Sequence, residues 1–290
     1  MMMQGVYTAL VTPFTTNGEV DYERLKKLVE FQLAGGVDGI VPVGTTGESP
    51  TLSYEEHMKV VEIVIQTVNK RCQVVAGTGA NSTEEALEMT RLAKKAGADA
   101  SLQVTPYYNK PSQEGLYRHF SEVADKVGLP IVLYNVPGRC GVAIAPETVA
   151  RLSKNSNVVA LKEAGGNVER VSAILELCDL TILSGDDSLT VPMMSVGAKG
   201  IISVASNIIP AELKRMTDAA LAGNYRTAGD IHRKYYCLFR DLFVESNPIP
   251  VKAAMAMKGM IDEVYRLPMC PLSDGGRQVL TAAMHKCGLL

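Results

Sequence analysis

Short runs of apolar, β-branched residues alternate along this chain with longer segments whose apolar positions recur at helical spacing. The runs at 5–11, 39–44, 73–79, 100–106, 130–136, 158–163, 180–185 and 199–205 read as strands. Between and after them, segments near 21–35, 53–69, 83–96, 113–127, 146–154, 167–178, 187–196 and 210–222 read as helices. Two of these carry explicit start signals. In "SYEE" at Ser53 and "STEE" at Ser82 a glutamate follows the serine by three residues. At that spacing the hydroxyl and the carboxylate can each satisfy a free amide of the first helical turn.

Adjacent parallel strands are reached only through a crossover, so sustained alternation predicts a parallel sheet. Eight strand–helix units fit a closed (β/α)8 TIM barrel better than an open doubly wound sheet. From about residue 224 the pattern changes to helical segments with no β-branched run between them. The expected organisation is an α/β barrel over residues 1–223 followed by a C-terminal α-helical domain over 224–290.

Charge and composition narrow the class of partner. The 29 basic and 31 acidic residues nearly cancel, and no block of five like charges marks a nucleic-acid or membrane-surface patch. No apolar run approaches the ~18 residues that span a bilayer. The opening "MMMQGVYTALVTPF" has no basic region ahead of its apolar stretch. These features predict a cytoplasmic protein acting on a small molecule. The six cysteines are dispersed without a C-x-x-C pair, and the four histidines are scattered, so reduced structural thiols and no metal site are expected.

In a barrel of this kind, catalytic residues sit at the C-terminal ends of strands and in the loops that follow. The polar, glycine-rich ends here are "GTTGES" after strand two, "TPYYN" after four, "YNVPGRCG" after five and "KEAGG" after six. Lys162 closes the apolar run "VVALK". Burial penalises its charged form, which favours the neutral amine, a nucleophile able to form a Schiff base with a ketone. The plainer reading is a lysine paired with Glu163 or snorkelling to solvent.

Thr45 and Thr46, set between glycines, could cradle a carboxylate or simply turn the chain. Tyr107, Tyr108 and Tyr134 could relay protons or merely fill the core. Arg139 follows the turn Pro137-Gly138 and offers a planar fork for a carboxylate, or a surface charge. "GTGANS" lacks the third glycine of a dinucleotide loop, which argues against a nicotinamide cofactor.

Taken in order, "GTTGES", "TPYYN", "LYNVPGRCG", "LKEA" and "SGDD" resemble the pyruvate-dependent class I aldolases of the N-acetylneuraminate lyase family, and within it the dihydrodipicolinate synthase branch. The likeness continues into the tail with "FVESNPIPVK" and "YRLPMCPLSD". It implies condensation of pyruvate with aspartate semialdehyde in the diaminopimelate route of lysine biosynthesis, without metal or organic cofactor. It also implies a homotetramer built as a dimer of dimers.

Residue by residue, the resemblance makes Lys162 the Schiff-base lysine and Tyr134 the acid/base. Thr46 binds the pyruvate carboxylate, and Thr45 links Tyr134 to a Tyr108 arriving from the neighbouring subunit. Arg139 holds the semialdehyde carboxylate, while Ile202 and Gly185 line the pyruvate pocket. A lysine-feedback site is implied at Ser49, His57, Asn81, Glu85 and Tyr107. Tyr54 stands where that pattern has histidine and Pro50 where it has alanine, which leaves inhibition by lysine open. A sugar-acid lyase of the same fold would share Lys162, Tyr134 and Thr46, but Arg139 favours the synthase. A catalytically silent pyruvate-binding barrel is disfavoured by the intact set.

Overall fold

A computed structural model describes residues 2–290. The strands are β1 (Gly5–Ala9), β2 (Gly39–Val41), β3 (Gln73–Gly77), β4 (Ala100–Val104), β5 (Ile131–Asn135), β6 (Val158–Glu163), β7 (Thr181–Ser184) and β8 (Gly200–Ser203). All neighbouring pairs are parallel, and β1 pairs with both β2 and β8, so the sheet closes in sequence order into a barrel. Around it run α1 (Tyr22–Ala34), α2 (Tyr54–Val68), α3 (Thr83–Ala96), α4 (Gln113–Val127), α5 (Pro137–Cys140), α6 (Pro146–Leu152), α7 (Glu169–Leu177), α8 (Thr190–Ser195) and α9 (Pro210–Leu221). Three more helices follow: α10 (Tyr225–Asp241), α11 (Ile249–Met257) and α12 (Asp274–Lys286).

All the strands but β6 are shorter than their apolar runs, and most of the residues lost follow the strand, in the loops of the upper rim. β2 stops at Val41 because Pro42 has no amide to donate and Val43 takes φ 53°, an unusual state for a β-branched residue. The expected helix at 187–196 divides into a 3-10 turn over Asp187–Leu189 and α8. Asp187 is drawn inward there, accepting from the Ser203 hydroxyl and from the amides of Val204 and Ala205. The single turn α5 was not anticipated; its first position is Pro137, whose fixed φ suits a helix start.

Both serine caps form, but differently. Ser53 and Glu56 make the full reciprocal box at the start of α2. Ser82 accepts from the Glu85 amide, but the return bond from its own amide to the Glu85 carboxylate does not form.

Strand side chains alternate between two cores. Ala160, Val132, Tyr134 and Ile202 belong to the cluster inside the barrel, whereas Leu161, Leu133 and Ile201 pack against the surrounding helices. The same period turns Lys162 inward and Glu163 outward. The last three helices pack back onto the barrel. The Tyr225 hydroxyl donates to the Met194 carbonyl at 2.8 Å, and Lys252 of α11 donates to Glu48 beyond β2 at 2.5 Å.

Candidate active site

The inward alternation of β5 and β6 brings Tyr134 and Lys162 together as a register pair at the upper end of the barrel. Lys162 is 5% exposed, and its Nζ stands 4.2 Å from the centroid of the Tyr134 ring. Among the described residues Lys162 makes no ion pair, and the reading that couples it to Glu163 fails because that carboxylate lies on the opposite face of β6. Gly185 sits close above the lysine stem: a Cβ there would lie 3.1 Å from Lys162 Cε and 2.6 Å from Ala164 Cβ. A side chain at 185 would clash first with Ala164 and crowd the lysine stem.

Next to Gly185 in "SGDD" stands Asp186, to which the sequence alone assigns no role. Burial pushes its carboxyl above the usual range, opposed by the nearby Lys162 charge and by a hydrogen bond from the Gly166 amide.

The threonines divide the work of the "GTTGES" turn. Thr46 is buried, and its hydroxyl accepts from Asn247 Nδ2 at 3.0 Å. The Asn247 carbonyl accepts from Arg139 Nη2 at 3.2 Å. Asn247 Oδ1 is buried without a partner. A polar atom held this way has an unmet acceptor capacity that a bound donor can satisfy. Sequence reasoning missed Asn247. Its only local signal is the turn "SNP" before α11, and its partners lie 201 and 108 residues away.

Thr45, Tyr134 and Arg139 line a cavity of about 220 Å³ together with Ser49, Tyr107 and Leu102. Lys162, Thr46, Gly185 and Ile202 do not line it; Tyr134 connects the two groups, with its ring against the amine. Ile202 is fully buried on β8, in the inner core. Tyr108 is 91% exposed with φ 72°, so the chain does not supply it to its own cavity.

The six residues tied by resemblance to feedback spread outward from this cavity. Ser49 and Tyr107 are on its wall. Asn81 Nδ2 donates to the Tyr107 carbonyl at 3.2 Å. The Tyr54 hydroxyl meets the Glu85 carboxylate, which pushes the phenol up. His57 Nε2 donates to the Gly77 carbonyl at 2.7 Å; burial lowers its pKa. Among the described residues no group of three or more His, Cys, Asp or Glu side chains comes together as a metal site would require, and no helix is long and apolar enough to cross a membrane.

Known proteins resemble this chain end to end. Residues 2–287 match the model of the dihydrodipicolinate synthetase family. A 4-hydroxy-tetrahydrodipicolinate synthase of Geobacter sulfurreducens is 55% identical over 291 residues, covering all of both chains. The synthase structure from the methanotroph Methylacidiphilum fumariolicum SolV superposes with a TM-score of 0.97 at 51% identity, covering 99% of this chain and 96% of that one. A chloride-inhibited dihydrodipicolinate synthase from Acinetobacter baumannii, solved with pyruvate, gives a TM-score of 0.98 at 46% identity over the full length of both.

Proposed function

We propose that this chain, which belongs to the dihydrodipicolinate synthetase family, is a 4-hydroxy-tetrahydrodipicolinate synthase that condenses pyruvate with L-aspartate 4-semialdehyde. The observation that carries the reading is Lys162: a buried amine in no direct ion pair, held against the ring of Tyr134 at the functional end of a barrel. An unpaired lysine in such a place has a chemical use rather than a packing one.

In the proposed reaction the free amine of Lys162 attacks the pyruvate ketone, and Tyr134 moves protons while water leaves to give an iminium. The iminium draws electrons from the adjacent methyl group, which loses a proton and becomes an enamine. The enamine carbon then adds to the semialdehyde carbonyl, forming the carbon–carbon bond. The semialdehyde's own amine closes on the imine carbon and releases Lys162. Thr46 binds the pyruvate carboxylate, Arg139 the semialdehyde carboxylate, and Gly185 with the Ile202 carbonyl bounds the pyruvate pocket. Thr45 relays protons between Tyr134 and a Tyr108 from a second copy, a role consistent with the exposure of Tyr108.

The same reading assigns the catalytic barrel to residues 1–223 and a helical domain to 224–290, with four copies assembled as a dimer of dimers in the cytoplasm. Ser49, Tyr54, His57, Asn81, Glu85 and Tyr107 form its candidate lysine-binding region. Borohydride reduction in the presence of pyruvate, followed by peptide mass mapping, tests the mechanism. The expected result is an adduct on Lys162; an adduct on another lysine, or none, overturns it.

A further inference from the structure

The outward faces of β5 and β6 carry a second register pair, one residue beyond Tyr134 and Lys162. Asn135 lies beside Glu163, both fully buried, and Asn135 Nδ2 donates to Glu163 Oε1 at 2.8 Å. The same Oε1 accepts the Gly165 amide at 2.7 Å. Asn135 Oδ1 accepts the Ile144 amide at 3.0 Å, and the Ile144 carbonyl accepts from Arg170 Nη2 at 2.8 Å. Arg170 Nε returns to Glu163 Oε2 at 3.2 Å, an off-line ion pair in which neither atom has an aligned hydrogen-bond partner. The contacts form a closed ring: Glu163, Asn135, the Ile144 backbone, Arg170 and back to Glu163.

Three segments of the active site are pinned by this ring. Asn135 follows Tyr134 directly and Glu163 follows Lys162. Ile144 lies in the segment that joins α5, which carries Arg139, to α6. Gly165 is drawn in so tightly that a Cβ there would lie 2.6 Å from Glu163 Oε1. Because the strand alternation couples each outward side chain to its inward neighbour through one peptide unit, the outward separation sets the inward one.

We infer that Glu163, Asn135 and Arg170 are positioning residues that set the spacing of Tyr134, Lys162 and the Arg139 loop. The inference rests on the reading of Lys162 as the Schiff-base lysine, which trapping on the unmodified chain tests by itself.

Two substitutions separate position from charge. In Glu163→Gln, Oε1 keeps both acceptor contacts, and only the Arg170 side of the ring meets a donor facing a donor. In Glu163→Asp the charge remains, but the carboxylate is one methylene short of Asn135 and Gly165. Positioning therefore predicts that Asp is the worse variant, by about 10²-fold in kcat, the scale of a roughly 1 Å misplacement. Gln is expected to lose about tenfold or less, with the pyruvate KM nearly unchanged in both.

The measurement is kcat per site titrated by borohydride-trapped pyruvate, which discounts misfolded protein, together with the rate at which the adduct forms. An Asp variant as active as Gln, or better, overturns the inference in favour of a charge effect. A lower melting temperature with normal kcat per trapped site overturns it in favour of a purely structural ring. Should the Asp variant not fold, Arg170→Met breaks the ring from its 20%-exposed edge. It is expected to lower kcat per trapped site about tenfold, and a normal value overturns the inference. Failure of the unmodified chain to form an adduct would instead sink the reading of Lys162.

Discussion

Two lysines are buried among the described residues, and their surroundings are opposite. Lys252, in the helical tail, is fully buried and donates to Glu48 at 2.5 Å. Its ammonium also stands 4.2 Å from the Phe14 ring, whose vicinity is shared by the Arg266 guanidinium at 4.6 Å. Burial lowers its pKa while Glu48 opposes that shift. Lys162 is nearly as deeply buried, yet it has an aromatic face and no carboxylate in contact. A buried ammonium paired with a carboxylate is satisfied and has nothing left to offer a ligand. An unpaired one keeps its lone pair available once the proton leaves, and electrophiles can exploit it. Burial alone therefore does not separate the anchor from the proposed nucleophile; the partner does.

The largest expected effect breaks the comparison at its reactive end. Lys162→Met should lower kcat/KM by at least about 10⁴-fold, roughly 5.5 kcal/mol of lost transition-state stabilisation. Its urea midpoint should change little, because Lys162 is in no direct ion pair and only the longer-range attraction to Asp186 is lost. A stability loss comparable to that of Lys252→Met would erase the distinction.

At the anchoring end, Lys252→Met should cost about 3–5 kcal/mol of stability, since Glu48 is left buried and uncompensated. Equilibrium urea unfolding checks this, and Glu48→Gln combined with Lys252→Met should recover much of the loss. A double variant no better than the single one would mean that the pairing is not what holds the tail.

A smaller effect is expected at Tyr134. Tyr134→Phe keeps the ring against Lys162 but removes the hydroxyl, so kcat should fall by about 10²-fold while pyruvate is still trapped on Lys162. Near-normal turnover would take Tyr134 out of proton transfer.

The smallest effect concerns the rim of the anchor. Arg266 forks onto Glu56, holding that carboxyl down at about 2. A carboxyl with a depressed folded pKa contributes stability above its unfolded value, which is lost as pH falls from about 4.5 toward 2. Urea midpoints measured across that window should decline with acid, and Glu56→Gln should flatten the slope. An unchanged slope would show that Glu56 is not the titrating group.

Much of the candidate site was legible because its residues sit at strand ends, and a strand end is a local property of sequence. Lys162 after "VVAL" and the threonines between glycines stand out without knowledge of any neighbour. Asn247 does not, because its two tasks, to Thr46 and to Arg139, are set by chain segments brought near only when the barrel closes. The Glu163 ring was equally hidden. Alternation along the strand puts Glu163 on the face opposite Lys162, but nothing local tells that Asn135 and Arg170 wait there.

Periodicity by itself indicated the eight strands and most of the helices between them, since repeats of 2 and 3.6 residues are short-range geometry. The division of the buried charges was decided only in three dimensions. Which carboxylate meets Lys252, which fork holds Asn247 and why Lys162 is left unpaired depend on contacts between distant parts of the chain. Those contacts exist only after the sheet closes and the tail folds back on it.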